Sequence, residues 1–266
     1  MPFARRSLSV AVLPVLLVSA VAVSGCDIVT ADLKARETAE WRKSYQLSPG
    51  GRVEIRNVNG KIEVEPSTGS AVEVIALKSA RAGTSEAAKE ALGRIEILDQ
   101  SSDDLIRLET KVPRVQFMHM GNTEVRYTVK VPAAAAVDFS TVNGGIEVTG
   151  LTGRIKTETT NGGIVGRNIG GSIEATTTNG GVEVDVTRIA DHGIKLGCTN
   201  GGITLRLPSD ARATISASVT NGGISADGLT LEKTESSRRR LEARLNGGGP
   251  TVRLEGTNGG IHLNGR

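Results

Sequence analysis

The side chains that could carry acid–base, nucleophilic or metal chemistry are few and scattered in this sequence. Its three histidines, His119, His192 and His262, fall in a predicted loop, a predicted turn and an outward strand position. None has the spacing, or the neighbouring cysteines and carboxylates, that a zinc site requires. The sequence has no Gly-x-Ser-x-Gly elbow for a nucleophile and no Asp-rich calcium loop. We therefore predict no catalytic residue, no metal and no cofactor, and we expect the protein not to be an enzyme.

One cysteine near the N-terminus has the setting of a modification site. Arg5 and Arg6 precede an apolar run from Leu8 to Val23, which is too short and too promptly ended to span a bilayer. We predict that residues 1–25 are an export signal. The small residues directly before Cys26 resemble the lipobox of bacterial lipoproteins. That resemblance implies cleavage before Cys26 and diacylglycerol on its sulfur, and several acyl chains on one residue would anchor the protein stably.

The expected location follows from these features. Residues 26–37 are predicted to be a short tether, which places the folded part in the bacterial cell envelope. Asp27 resembles an inner-membrane retention signal, so the periplasmic side of the inner membrane is favoured over the outer membrane. The membrane, reached through lipidated Cys26, is thus the first expected partner.

Net charge argues against a nucleic-acid partner. The chain has 32 Lys and Arg residues and 29 Asp and Glu residues, and removal of residues 1–25 takes away two arginines and leaves 30 against 29. A nearly neutral body does not attract a polyanion. The local cluster Arg238–Arg240 is interpreted as a solvated insertion in preference to a lipid or polyanion site. With Cys26 acylated, Cys198 has no disulfide partner and is predicted to be a small core residue.

A repeated motif, Thr-Asn-Gly-Gly-Ile/Val, indicates the architecture. It is complete at Thr160–Ile164, Thr178–Val182, Thr199–Ile203, Thr220–Ile224 and Thr257–Ile261, and a close copy lies at Val142–Ile146. The asparagines at 143, 161, 179, 200 and 221 are 18, 18, 21 and 21 residues apart. A period near 20 residues with glycine-marked turns is typical of a solenoid, in which each short coil packs on the next.

Each coil is predicted to contain two short strands around the glycine turn. Every second residue before and after the turn is apolar or small, for example Ile173, Ala175, Thr177, Val182 and Val184. Strict alternation is the pattern of a strand with one buried face. We interpret the Gly-Gly pair as the turn, because glycine reaches positive φ without a clash. Since every coil reads in the same direction, the fold class is all-β, a right-handed parallel β-solenoid (β-helix).

The asparagines of the motif are predicted to form a structural ladder. They share the parity of the inward columns, so we expect their amides inside the turn, bonded to the backbone or to the next amide. The alternative is that asparagine is present only because it tolerates left-handed turns. The predicted ladder residues are Asn59, Asn143, Asn161, Asn179, Asn200, Asn221 and Asn258.

The chain divides into a cap and a repetitive region. Residues 38–136 are predicted to form a strand-rich N-terminal cap that includes the first coil, 53–64, and residues 137–266 form the β-solenoid. The cap has one predicted helix, Ser85–Leu92, with Thr84 as N-cap and Gly93 as C-cap. It also has an apolar loop, Pro113–Gly121, which packs on the cap or contacts a partner or membrane.

The C-terminal part of the repetitive region departs from the rhythm. Residues 228–250 interrupt the 21-residue spacing. We expect the last coil either to be covered by the Glu232–Arg244 excursion or to serve as a docking edge.

These features together resemble a known family. The lipobox, the strand Tyr127–Pro132 and the stacked Asn-Gly-Gly turns are similar to the bacterial "putative adhesin" domain family of unknown function, over about residues 40–265. The resemblance implies a β-solenoid in the envelope and supplies no catalytic residues.

The expected function is binding. We expect a membrane-anchored envelope lipoprotein that acts as a non-enzymatic binding, adhesion or scaffold module, with a protein or a cell-surface polysaccharide as partner. The alternatives are a polysaccharide-active β-helix enzyme and an accessory sensor in envelope stress signalling. The enzyme would need aromatic sugar platforms, and aromatics make up only 2% of the chain.

Overall fold

A computed structural model describes residues 34–112 and 122–266. The predicted signal peptide, Cys26, Asp27 and most of the tether lie outside the described residues, and so does the predicted loop Pro113–Gly121 with His119. The strands, in chain order, are β1 Ala35–Gln46, β2 Arg52–Arg56, β3 Ile62–Ser67, β4 Ala71–Ala82, β5 Glu96–Ser101, β6 Leu105–Lys111, β7 Asn122–Pro132, β8 Ala136–Asn143, β9 Ile146–Thr149, β10 Ile155–Asn161, β11 Ile164–Ile169, β12 Ile173–Asn179, β13 Val182–Val186, β14 Ile194–Asn200, β15 Ile203–Leu207, β16 Ala213–Asn221, β17 Ile224–Asp227, β18 Leu231–Ser236, β19 Arg240–Leu245, β20 Thr251–Asn258 and β21 Ile261–Gly265, with one helix, α1 Ser85–Gly93.

The repeats form the rungs of a β-solenoid, as predicted. Each rung contributes one strand to a 10-stranded sheet and one to an 11-stranded sheet, and successive rungs pair in parallel. Equivalent motif positions align, so Ile155 lies beside Ile173, and Asn161 beside Asn179. The all-β solenoid predicted from the repeat is therefore confirmed.

Aliphatic columns between the two sheets form the core. Ile155, Ile173 and Ile194 stack on successive rungs, and none is more than 2% exposed. Each such buried side chain stabilises the fold by about 1.5–3 kcal/mol. Because neighbouring rungs cover each other, a core of this kind needs few aromatic rings, which agrees with the composition.

The rungs do not follow chain order at the C-terminal end. The pair β20/β21 lies between β14/β15 and β16/β17, and Asn258 aligns with both Asn200 and Asn221. The excursion forms the hairpin β18–β19, and β19 pairs antiparallel with β16. The expectation that the last coil is covered by the Glu232–Arg244 excursion or serves as a docking edge was therefore wrong, because β20/β21 lie inside the stack and the excursion covers β16 instead. In the inner position, β20 and β21 have hydrogen-bonding partners on both sides.

The N-terminal end is built in the same way. The first coil, β2/β3, lies between β8/β9 and an additional rung, β6/β7. Outside that rung, β5 pairs antiparallel with β6, and β4 and then β1 continue the sheet beyond β7. The additional rung was not predicted as a coil because the sequence between β6 and β7 has no Asn-Gly pair. Strand β1 begins at Ala35, within the predicted tether 26–37.

The helix has the predicted N-cap but not the predicted C-cap. The Thr84 hydroxyl accepts a hydrogen bond from the backbone N–H of Ala87, as expected for an N-cap. The prediction of Gly93 as C-cap was wrong, since Gly93 is helical and the C-cap is Arg94 in the right-handed region. The N–H of Arg94 bonds to the carbonyl of Ala91, so the helix ends without a left-handed residue.

We predict that Ile173→Asp unfolds the stack, because it places an unpaired charge in a continuous apolar column. The expected loss in the free energy of unfolding exceeds about 4 kcal/mol, measured by chemical denaturation. The matched control is Thr176→Asp, on the exposed side of the same strand, which should stay near wild type. Equal stability of the two variants would contradict the assignment of the core.

Candidate functional site

The ladder residues predicted from the sequence are brought together in one continuous row. In each neighbouring pair, one side-chain Nδ2 donates to the Oδ1 of the next asparagine at 2.7 to 2.9 Å, and all the bonds point the same way. At one end of the row, Asn59 Nδ2 donates to the Thr123 carbonyl at 3.2 Å. We call this row the asparagine ladder, and its order is Asn59, Asn143, Asn161, Asn179, Asn200, Asn258 and Asn221.

The ladder lies on the outside of the solenoid, and the prediction that it is inside the turn was wrong. Thr159 is inward and buried, but Thr160 and Asn161 are both exposed. The chain bends at this corner, so the alternation of faces is interrupted after Thr159. The alternative that asparagine is present only because it tolerates left-handed turns fails as well. In the described part of the chain, the non-glycine residues of positive φ are Asn168 and Asn246, and neither belongs to the ladder.

The inward position next to the ladder is occupied by a second row of donors. The hydroxyls of Thr159 and Thr177 donate to the carbonyls of Gly144 and Gly162 at 2.9 and 2.8 Å. Cys198 takes the equivalent place, with its Sγ 3.0 Å from the Gly180 carbonyl. Burial raises the pKa of the Cys198 thiol, so the sulfur stays protonated and can donate weakly.

The first glycine of each motif allows the rungs to approach this closely. A Cβ on Gly162 would lie 2.0 Å from the Gly144 carbonyl oxygen, and one on Gly180 would lie 2.1 Å from that of Gly162. The second glycine has more room, since a Cβ on Gly163 would meet its nearest atom at 3.4 Å. The tight corner therefore depends on one glycine per rung and not on the pair.

An exposed strip follows the ladder along one edge of the solenoid. We define the ribbon as the seven ladder asparagines and the exposed residue that precedes each of them, which is threonine in five rungs and Val58 and Val142 in the others. Rungs about 4.8 Å apart make the ribbon roughly 30 Å long. Each of the five inner Asn amides uses one N–H and one lone pair within the ladder, so its other N–H and lone pair remain available to a ligand. The ribbon thus presents a periodic row of uncharged hydrogen-bonding groups.

Ion pairs between rungs neutralise much of the charge on the two sheet faces. Lys195 Nζ lies 2.8 Å from Glu174 Oε1, and this hydrogen bond lowers the pKa of Glu174. On the same sheet, Arg56 Nη1 lies 2.8 Å from Asp138 Oδ1, which raises the pKa of Arg56. Exposed pairs of this kind contribute at most about 1 kcal/mol each. Their main effect is a surface without a large region of one sign.

The two ends of the ribbon differ. At the Asn59 end, a polar cavity of about 760 Å³ is lined by, among others, Lys61, Glu63, Glu124 and Arg126. Both of its carboxylates are ion-paired, Glu63 with Lys61 and Glu124 with Arg126.

At the Asn221 end, the backbone of the predicted basic cluster takes the place of a further rung. The carbonyls of Arg238 and Arg239 accept from the N–H groups of Ile224 and Val219 at 3.0 and 2.9 Å. The cluster, predicted to be a solvated insertion, therefore has exposed side chains and a structural backbone.

The remaining candidates for chemistry stay apart from one another. His192 is exposed in a turn, and His262 Nδ1 lies 2.9 Å from the Ser225 hydroxyl. Within residues 34–112 and 122–266, no three His, Cys, Asp or Glu side chains are grouped so that they could hold a metal ion. In the same ranges, the structure contains no helix of the length and hydropathy needed to cross a membrane.

We predict that Gly162→Ala and Gly163→Ala have different effects although the two glycines are adjacent. The first should destabilise the protein by about 2 kcal/mol or more, because its methyl group overlaps the Gly144 carbonyl. The second should change stability by less than about 1 kcal/mol. Thermal and chemical unfolding of the two variants measures the difference, and an equal loss would show that the close approach of rungs is not the constraint.

Several solved structures match this chain at low sequence identity and low TM-score. A protein described as a putative cell adhesion protein from Clostridium sporogenes is 11% identical over 86% of this chain and 100% of its own, with a TM-score of 0.43. A putative adhesin from Bacteroides fragilis is 10% identical over 85% of this chain and 97% of its own, with a TM-score of 0.31. A putative lipid binding protein from Parabacteroides distasonis is 9% identical over 88% and 98%, with a TM-score of 0.22. Similarities this low carry no inference about function.

Sequence comparison identifies the family. No curated protein matches the chain. The family model described as Toastrack DUF4097 matches residues 51–264, which run from β2 into β21 and include the hairpin β18–β19 and the ladder. The resemblance to the "putative adhesin" family is thereby confirmed, and the chain belongs to the Toastrack DUF4097 family.

Proposed function

We propose that the protein is a lipid-anchored, non-enzymatic binding module of the bacterial cell envelope, whose ribbon binds an extended polysaccharide. The observation that carries the proposal is the exposed row of asparagines and threonines, which repeats at the spacing of the strands. A ligand with hydroxyl groups at regular intervals can contact several rungs at once. Weak contacts repeated along one rigid surface add to a useful affinity.

The charge distribution favours a neutral or weakly charged polymer. The ribbon has no ionisable side chain, and the flanking acidic and basic groups are paired across rungs, as in Lys195–Glu174 and Arg56–Asp138. A polyanion would find no uninterrupted basic surface along the ribbon. Hydroxyl and amide groups are suited to a sugar chain, which offers both donors and acceptors.

A polysaccharide-active enzyme is the less well supported alternative. Such an enzyme would need a carboxylate free to act as acid or base next to the bound sugar. In the polar cavity, Glu63 and Glu124 are each held by a basic neighbour. The geometry of the described residues therefore supports binding better than cleavage.

Anchoring is part of the proposal and rests on the N-terminal sequence. Lipidation of Cys26 and the short tether that follows would place the ribbon close to the membrane, on the periplasmic side of the inner membrane if Asp27 acts as a retention signal. At that position, the ribbon would face polymers of the envelope.

We predict that the triple variant Thr160→Val, Thr178→Val and Thr199→Val weakens binding to polysaccharide isolated from the native envelope. Three hydroxyls are lost from adjacent rungs, and a loss of more than about tenfold in affinity is expected from their hydrogen bonds. Co-sedimentation of the full chain with the polymer measures the effect.

The matched control replaces the exposed threonines Thr176, Thr214 and Thr251 of the 11-stranded sheet by valine, which should leave binding unchanged. Equal binding by both triple variants, or no binding by the wild type, would refute the proposed ligand. If crosslinking in native membranes joins the ribbon to a protein and no polysaccharide is bound, the ligand is that protein and the proposed polysaccharide is wrong.

We predict that Cys26→Ala releases the protein from the membrane fraction of a Gram-negative host, because no acyl chains can then be attached. The variant Cys198→Thr serves as control, since Cys198 is buried in the core and Thr177 fills the same position in the neighbouring rung β12. Fractionation followed by immunoblotting measures the distribution. Membrane retention of the Cys26→Ala protein would rule out lipid anchoring through this residue.

A further inference from the structure

The ladder is composed of a chemically fragile dipeptide. In an Asn-Gly sequence, the backbone nitrogen of the glycine meets little steric hindrance when it attacks the asparagine side-chain carbonyl, and the amide is lost as ammonia. All seven ladder asparagines precede a glycine, and all are at least partly exposed. Their persistence in a folded protein therefore depends on how the attacking nitrogen and the amide are held.

Six of the seven rungs hold both groups by hydrogen bonds to a neighbouring rung. The attacking nitrogen donates its hydrogen to the backbone carbonyl of the next ladder asparagine, for example Gly162 N to Asn179 O at 2.8 Å and Gly201 N to Asn258 O at 2.9 Å. Gly60, Gly144, Gly180 and Gly259 make the equivalent bond. In these six rungs, the side-chain oxygen also accepts from the next amide. The glycine nitrogen is not free to attack, because its hydrogen is bonded to a carbonyl and the oxygen of the asparagine side-chain amide is bonded as well.

The protection ends at Asn221. It lies in the outermost complete rung, and no residue of the described ranges accepts from Gly222 N or donates to Asn221 Oδ1. The Arg238–Arg239 backbone covers this rung but takes the N–H groups of Val219 and Ile224 and leaves that of Gly222 unbonded. The Asn221 side chain keeps its bond from Nδ2 to Asn258 Oδ1, at 2.9 Å.

We propose that Asn221 is a site of spontaneous deamidation in the folded protein, and that the ladder protects the other six asparagines. The nitrogen of Gly222 loses its proton and forms a bond to Cγ of Asn221, and the side-chain amide leaves as ammonia. Water then opens the succinimide at either carbonyl and gives aspartate or isoaspartate. The overall reaction consumes one water and releases one ammonia, with no change of oxidation state.

The chain contains its own matched controls for this proposal. Thr-Asn-Gly-Gly occurs at 160–163, 178–181, 199–202, 220–223 and 257–260, so the five sites have the same local sequence. In an unfolded chain they should react at similar rates. A difference in the native state then arises from position in the stack.

The experiment is incubation of the native full chain in mildly alkaline buffer, followed by digestion and mass spectrometry of each Asn-Gly peptide. The expected result is deamidation at Asn221 at least about fivefold faster than at Asn161, Asn179 or Asn200, the factor that about 1 kcal/mol for one backbone hydrogen bond gives. In denaturant, the sites should converge. Native rates that are equal at the five sites, or fastest at an inner rung, would overturn the proposal.

A variant gives an independent check. Asn221→Gln lengthens the side chain and should lower the rate of ammonia release from the native protein, while Asn161, Asn179 and Asn200, which do not bond to residue 221, stay unchanged. An unchanged rate of ammonia release in that variant would also overturn the proposal.

Discussion

The close approach of one backbone to the next at the Asn-Gly corner is the constraint on which the structure depends. At Gly162 there is no space for a side chain, because the carbonyl of the rung below occupies it. This contact brings the backbone N–H of one rung to the carbonyl of its neighbour and aligns the asparagines. The corner therefore sets the register of both sheets at once, and the aliphatic columns follow from it.

Two rows of polar side chains line that corner, and they have different roles. The inner row, represented by Thr159, Thr177 and Cys198, donates to half-buried glycine carbonyls of the neighbouring rung. The outer row, the asparagine ladder, joins the rungs to each other and still leaves hydrogen-bonding capacity for solvent or a ligand. The edge that holds the fold together thus also keeps hydrogen-bonding groups exposed.

The repeat, the parallel stack and the inward columns could be predicted from the sequence. They follow from the positions of the glycines and from the alternation of apolar and polar residues along each strand, and both are local properties. It could not show the order of the end rungs, because Asn221 and Asn258 have the same motif and fit the same neighbour. The rung β6/β7 was missed because the sequence between its two strands has no Asn-Gly pair. The outward direction of the ladder was missed because the bend after Thr159 interrupts the alternation on which the expectation rested.

The insertion of β20/β21 beneath β16/β17 has a consequence for synthesis. During translation, β16 emerges before β20, and its motif fits the free edge of β14 equally well. A stack in simple chain order can therefore assemble first on the ribosome. The native arrangement requires that this early pairing stays open, or reopens, until residues 251–265 have emerged, so β16 and β17 can take their final places only after β20 and β21 have joined the stack.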